Sequence, residues 1–171
     1  MGALHVLVAN AVMPEHAPSR QLFEAVPLEQ WQGMLRGTLE GTVLTVQCAL
    51  PLMRAAGWGR IVHISSDAID GWPGLGPYAS AKAGLHGLSR TLAVELGLAD
   101  IRSNVVMPGF VLTESNRQRV PAEYREQIRQ HTATRRLTTP ADLAATIVFL
   151  GSPANRQITG EVIRVTGLRQ G

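Results

Sequence analysis

Two rhythms of apolar residues alternate along the chain. Leu4-His5-Val6-Leu7-Val8-Ala9 is a short apolar run of the length of a buried strand. Arg60-Ile61-Val62-His63-Ile64-Ser65, Ile101 to Met107 and Glu161 to Val165 read the same way. Between them lie longer stretches at helical spacing. From Leu28 to Ala56 the apolar positions are Trp31, Met34, Leu35, Leu39, Val43, Val46 and Leu50. Pro51 is expected to kink or shorten the end of that helix, and Gly57 and Gly59 supply its stop. A second long helix is expected from about Tyr78 to Leu98. A third opens at Pro140 and Ala141 and carries Leu143, Ile147, Phe149 and Leu150. Strand and helix alternate four times, which predicts a parallel sheet covered by helices on both faces.

The intervening segments are of other kinds. A polar loop with prolines runs through Glu15, Pro18 and Ser19, and a loop rich in glycine and proline spans Asp67 to Pro77. Thr113 to Arg136 is polar, with short helical pieces. No repeat or linker divides the chain, so residues 1–171 are expected to form one domain.

In open parallel sheets, sites lie beyond the carboxyl ends of the strands. Asn10 follows the first strand, Ser65 and Ser66 the second, and Pro108, Gly109 and Thr113 the third. The Tyr78 helix begins at the same rim. A hydroxyl, a phenol and an ammonium are thereby brought to one edge.

The ammonium is chemically conspicuous. Lys82 is the only lysine; the other fifteen of the sixteen basic residues are arginine. It stands four residues after Tyr78 and shares its helix face. A neighbouring cation is expected to lower the phenol from its ordinary pKa near ~10 toward the range of acid–base catalysis. A serine that only caps backbone groups, and a Tyr and Lys that only decorate a surface, are the competing structural accounts.

Composition narrows the function. With 45% hydrophobic residues in 171, the chain can bury a core of its own. Net charge is only +3, and the arginines are dispersed apart from a looser group between Arg117 and Arg136, so no nucleic-acid surface is expected. No run is long enough for a membrane span, and no segment reads as a signal peptide, so a cytoplasmic location is expected. His5, His16, His63, His86 and His131 have no metal-ligand spacing. The single Cys48 is read as core packing.

Taken together these segments resemble the short-chain dehydrogenase/reductase family over nearly the whole chain. Leu7-Val8-Ala9-Asn10-Ala11 is similar to its Asn-Asn-Ala-Gly strand end. Gly59 to Ser66 resembles its serine-bearing strand, Tyr78-Ala79-Ser80-Ala81-Lys82-Ala83-Gly84 its active-site helix, and Asn104 to Gly109 with Thr113 its nicotinamide-holding segment. Ile158 to Val165 resembles its last strand. The resemblance implies an α/β, Rossmann-like three-layer sandwich with a mostly parallel sheet of about four strands. It implies catalytic roles for Ser66, Tyr78 and Lys82 and cofactor contacts from Asn10, Pro108, Gly109 and Thr113. A small-molecule alcohol or ketone is the implied substrate.

There are departures. No Gly-rich phosphate loop occurs, and the chain begins at what resembles the family's fourth strand, a truncated version of the fold. NAD or NADP binding is therefore expected to be weak or dependent on a partner. Leu4–Ala9 is expected to leave an open strand edge, and a homo-oligomer is expected through that edge or the long helices. Thr38 replaces a helix-kinking Asn of many members, and Leu168 replaces a terminal Gly. Thr113–Arg136 takes the place of the substrate lid, where its arginines would face either an acidic substrate or water. Three functions stay open: an NAD(P)-dependent oxidoreductase, an acid–base enzyme without cofactor, and a non-catalytic interaction subunit.

Overall fold

The computed structural model describes residues 2–11 and 21–168; the proline-bearing loop through Glu15, Pro18 and Ser19 lies outside them. The elements follow in the order β1 (Val6–Ala9), α1 (Leu28–Leu35), α2 (Gly41–Ala56), β2 (Gly59–Ile64), α3 (Gly76–Leu96), β3 (Ile101–Pro108), α4 (Glu114–Arg119), α5 (Ala122–Gln130), α6 (Pro140–Gly151) and β4 (Val162–Val165). The four strands pair in sequence order, β1-β2-β3-β4, and every pairing is parallel. The expected α/β architecture is the one observed.

Alternation along β2 sets the layers. Ile61 joins Val46, Ala49 and Met53 of α2 and Leu92 and Leu96 of α3 in one core cluster. Val62 and Ile64, on the opposite face, pack with Leu150, Leu143 and Ile147 of α6. Helices α2 and α3 thus cover one face and α6 the other. All six residues of β2 are buried, as a central parallel strand requires.

The expected helix from Leu28 to Ala56 forms with one interruption. Between α1 and α2 the backbone makes a π turn, Arg36–Glu40, with Thr38 buried at its centre. The interruption is thus a π turn with threonine at its centre. Thr38 Oγ1 donates to Met34 Sδ (3.5 Å), and its carbonyl accepts from Thr42 Oγ1 (2.7 Å). Pro51 does not shorten α2, which runs on to Ala56 and ends at Gly57 with φ 79°, a left-handed cap that suits glycine. The proline sits on the exposed side, while the core-facing positions Val46, Ala49 and Met53 carry the helix past it. Cys48 lies off that stripe and is exposed, contrary to the expectation of core packing.

The sheet face under α3 also carries a polar layer. His63 is fully buried; its Nε2 lies 3.2 Å from Ser103 Oγ, which lies 3.0 Å from Ser89 Oγ on α3. His63 Nδ1 makes no hydrogen bond among the described residues. Burial pushes the imidazole down to about 4, so it is neutral at physiological pH. Its contribution to stability is complete above pH ~6.5 and is lost as pH falls through about 4, because only the unfolded chain takes up the proton readily. Denaturant titrations should show wild-type stability falling between pH 6.5 and 4, by up to about 3 kcal/mol from this group. In His63→Asn that part of the slope should disappear; an unchanged slope would count against a buried neutral imidazole.

Candidate active site

Strand β2 delivers two serines to the rim, and the backbone sends them to different tasks. Ser65 is buried; its Oγ lies 2.7 Å from His86 Nε2 and 3.3 Å from the Lys82 carbonyl, so it ties the strand end to α3. Ser66 turns the chain. Its Oγ accepts from the Ala68 amide (3.2 Å), capping a tight turn over Asp67–Asp70, and it lines the same cavity as the Tyr78 phenol. The capping account and the catalytic account of Ser66 are thus compatible.

Tyr78 is the third residue of α3, which opens Gly76-Pro77 with proline in its first turn. That position faces the positive end of the helix dipole, which favours a phenolate. Lys82 follows one turn later and is only 2% exposed. Its Nζ donates to the Ile64 carbonyl at 2.6 Å and lies 5.8 Å from the centre of the Tyr78 ring.

The charge chemistry differs from the expectation. The Tyr78 phenol is raised, not lowered: burial is the main cause, the Ser66 hydrogen bond pulls the other way, and the Asp67 charge adds to the rise. Burial meanwhile pushes Lys82 down to about 8. The ammonium is committed to a backbone carbonyl beneath the ring, so desolvation of both groups outweighs their attraction. At neutral pH the phenol holds its proton and the lysine keeps most of its charge.

A cavity of about 630 Å³ opens over these groups, and Asn10, Ser66, Tyr78, Lys82, Pro108, Gly109 and Thr113 all line it. Every candidate site residue is thereby brought to one place. Thr113 also caps α4, its Oγ1 accepting from the Asn116 amide (3.1 Å). Gly109 lies so close to its neighbours that a Cβ there would come within 3.3 Å of Asp67 Oδ2 and Thr166 Cβ. Thr38 is not among the lining residues. Among the described residues no cluster of His, Cys, Asp and Glu could hold a metal ion, and no helix is long and apolar enough to cross a membrane.

The lid contributes what a residue-by-residue reading overlooks. Asn116, Val120, Tyr124 and Ile128 line the cavity at spacings of four, although Pro121 separates α4 from α5. No arginine of Arg117–Arg136 lines it. Arg129 pairs with Glu126, and Arg136 forms two hydrogen bonds to Asp142 (2.6 and 3.0 Å), the residue completing the Thr139 cap of α6. The spacing of four was available as a signal, but the many arginines between those positions hide it.

A parallel α/β sheet covered by helices on both faces, with its candidate residues beyond the strand ends, is a Rossmann-like fold. The model of a family described as enoyl-(acyl carrier protein) reductase matches residues 1–167, and the chain belongs to the short-chain dehydrogenase/reductase family. It is 37% identical over 168 residues to (2S)-[(R)-hydroxy(phenyl)methyl]succinyl-CoA dehydrogenase subunit BbsD of Thauera aromatica, a match covering 98% of this chain and 66% of that protein. A short-chain dehydrogenase/reductase family oxidoreductase from Burkholderia thailandensis superposes with TM-score 0.85 and 34% identity, over 95% of this chain and 62% of that one. A gluconate 5-dehydrogenase from Burkholderia cenocepacia, solved with NADP and tartrate, gives TM-score 0.87 at 27% identity, over 98% of this chain and 65% of that one. The chain spans about three fifths to two thirds of the length of the relatives it matches.

Because Lys82 is the sole lysine, ¹³Cε-lysine labelling should yield one resonance from this residue. Its titration midpoint should lie near 8 rather than at the ordinary 10.5. A midpoint at the ordinary value would mean that the ammonium is not desolvated.

Proposed function

We propose that the chain carries the reacting half of an oxidoreductase site that interconverts an alcohol and a ketone or aldehyde. The observation that carries this is that Ser66, Tyr78 and the buried Lys82 line one cavity, with Lys82 Nζ 5.8 Å from the centre of the Tyr78 ring. A substrate oxygen seated between Ser66 Oγ and the phenol would accept from both. As negative charge grows on that oxygen in reduction, Tyr78 gives up its proton and Ser66 holds the oxygen in place. A phenol raised by burial keeps its proton at neutral pH and suits this acid role. In the reverse direction the phenol must first ionise; the Ser66 bond, the start of α3 and the charge on Lys82 all favour the anion.

NAD or NADP, as in the solved relative above, would supply or receive the hydride. The residues fit its nicotinamide end: Asn10, Thr113 and Lys82 bring polar groups to a cavity that Pro108 and Gly109 also line. Among the described residues there is no Gly-x-Gly-x-x-Gly strand-to-helix turn to hold a pyrophosphate. Each charge-assisted phosphate bond contributes about 1.5–3 kcal/mol, so binding by residues 1–171 alone should be weak. A second reading, acid–base catalysis without nucleotide, uses the same Tyr78.

One set of assays separates these readings. Tyr78→Phe should lower turnover by about 10²–10⁴-fold and Ser66→Ala by about 10–10³-fold. Reduction should be fastest below pH 8 and decline as Lys82 loses its charge through about 8. NADH fluorescence titration should give a dissociation constant on the order of a millimolar; saturation at micromolar concentrations would refute the weak-binding part. Turnover that depends on Tyr78 but needs no nucleotide would select the second reading, and turnover unaffected by Tyr78→Phe would remove both.

Self-association is proposed on separate grounds. Leu44 and Leu52 of α2, Val94 of α3 and Leu98 just after it are 41–107% exposed, and Val6 and Val8 of β1 are each 40% exposed. Sedimentation velocity should show a dimer or larger species at micromolar concentration, and Leu44→Glu with Val94→Glu should shift it toward the monomer. A wild-type monomer would dismiss the idea.

A further inference from the structure

Helices α4 and α5 carry the inward stripe of the lid. Among the described residues, neither helix is in close backbone contact with the sheet or with the long helices. Where they sit therefore depends on the chain at their two ends. Before α4, the Leu112 amide donates to the Thr138 carbonyl (2.8 Å), beside the Val111–Thr138 bridge. Beyond α5, the Ala133 amide donates to the Leu168 carbonyl (2.9 Å) and the Thr134 amide to the Gly167 carbonyl (3.3 Å). The residues that receive this second end lie just past β4, the last strand of the sheet.

The second fastening is built to a close tolerance. Gly167 has φ 66° and Leu168 φ 54°, both in the left-handed region. Leucine adopts that conformation only at a cost, and its side chain, 70% exposed, recovers little of the cost by packing. The turn is held instead by the bonds its two carbonyls accept and by the Leu168 amide donating to Thr166 Oγ1 (3.2 Å).

Space is as tight as the hydrogen bonding. A Cβ on Gly167 would come within 2.6 Å of both Thr132 Cγ2 and Thr134 Oγ1. Thr134 is exposed and can turn aside; Thr132 is buried and has nowhere to go. Thr132 Oγ1 in turn donates to the Ile128 carbonyl (2.8 Å), and Ile128 lines the cavity with Tyr124. Ile128 and Thr132 also line, with Gly109 and Thr166, a gap of only about 10 Å³, so little free volume remains where lid, β3 end and β4 end meet.

We infer that Gly167 and Leu168 are positioning residues of the candidate active site: a clamp just past β4 that holds the end of α5 and so keeps Tyr124 and Ile128 in the cavity wall. This rests on the reading of that cavity as the place where the alcohol or ketone reacts. Neither Gly167 nor Leu168 lines the cavity. They act on how well the lid encloses a ligand, and not on the proton transfer itself.

The lid's arginines and the single lysine make this measurable on the full chain. Native-state trypsin cleavage after Arg117, Arg119, Arg125 and Arg129 requires α4 and α5 to open locally. Lys82, which lines the cavity, can be dimethylated with formaldehyde and cyanoborohydride and read by mass. Gly167→Ala should speed both lid cleavage and Lys82 methylation about fivefold or more, with cleavage after Arg54 and Arg90 unchanged. Thr132→Ser removes the methyl that the new Cβ would strike; added to Gly167→Ala, it should bring both rates back to within about twofold of wild type. Thermal melts check folding. Where Gly167→Ala melts below the assay temperature, Thr132→Val, which keeps the shape and loses the bond to Ile128, should raise both rates about threefold. Unchanged rates, an acceleration equal at all arginines, a Lys82 rate that does not follow the lid, or no rescue by Thr132→Ser would overturn the inference. Turnover that depends on Tyr78, with lid and lysine rates indifferent to residue 167, would leave the proposed function standing and this inference fallen. Rates that respond as expected while turnover ignores Tyr78→Phe would do the reverse.

Discussion

One hydrogen bond organises this site: the Lys82 ammonium donates to the Ile64 carbonyl at 2.6 Å, inside the protein. The carbonyl of a strand's last paired residue needs a donor, and an ammonium taken out of water needs acceptors. Each group answers the other's requirement. The bond joins α3 to the end of β2, and Ser65 reinforces it by bonding to His86 and to the Lys82 carbonyl. With α3 held this way, Tyr78 one turn earlier lines the same cavity as Ser66, two residues beyond the strand. The distance between helix start and strand end is thus set by buried polar contacts, not by apolar packing alone.

Such contacts carry an energetic cost that the remaining structure must offset. Lys82 loses proton affinity, and His63 stays neutral with one ring nitrogen unbonded among the described residues. Both lie on the α3 side of the sheet. The opposite face, under α6, carries the apolar cluster Val62, Ile64, Val106 and Leu150, and by alternation also the buried Arg60 and Asn104, which hydrogen-bond to backbone groups. Helix α6 nonetheless reaches the cavity through Pro140, Leu143, Ala144 and Ile147, so the apolar layer also supplies a wall.

The lid and the aromatic rings show a comparable division. Positions 116, 120, 124 and 128 line the cavity, while Arg117, Arg129 and Arg136 pair with Glu114, Glu126 and Asp142 and Arg125 donates to the Arg117 carbonyl. A segment that reads as basic along the chain therefore offers the cavity a neutral surface. Trp31 and Trp72, distant in sequence, line one cavity because α1 packs against α3, with Trp31 beside Gly76.

The linear pattern was enough for the parallel α/β sheet, since strand length and helical period are local properties. It was also enough for the rim, because the carboxyl ends of parallel strands lie on one side whatever the details; Asn10, Ser66, Tyr78, Lys82, Pro108, Gly109 and Thr113 do line a single cavity. The lone lysine was visible by composition. Its effect on Tyr78 was not, because the direction of a pKa shift depends on desolvation and on what the ammonium bonds, and both are three-dimensional quantities. The exposure of Cys48, the uninterrupted helix at Pro51 and the inward stripe of the lid were decided in the same way, by which face each helix turned to its neighbours. The order of residues determined which groups could meet; only tertiary packing decided which faced water, and burial controls the charge of every group in this site.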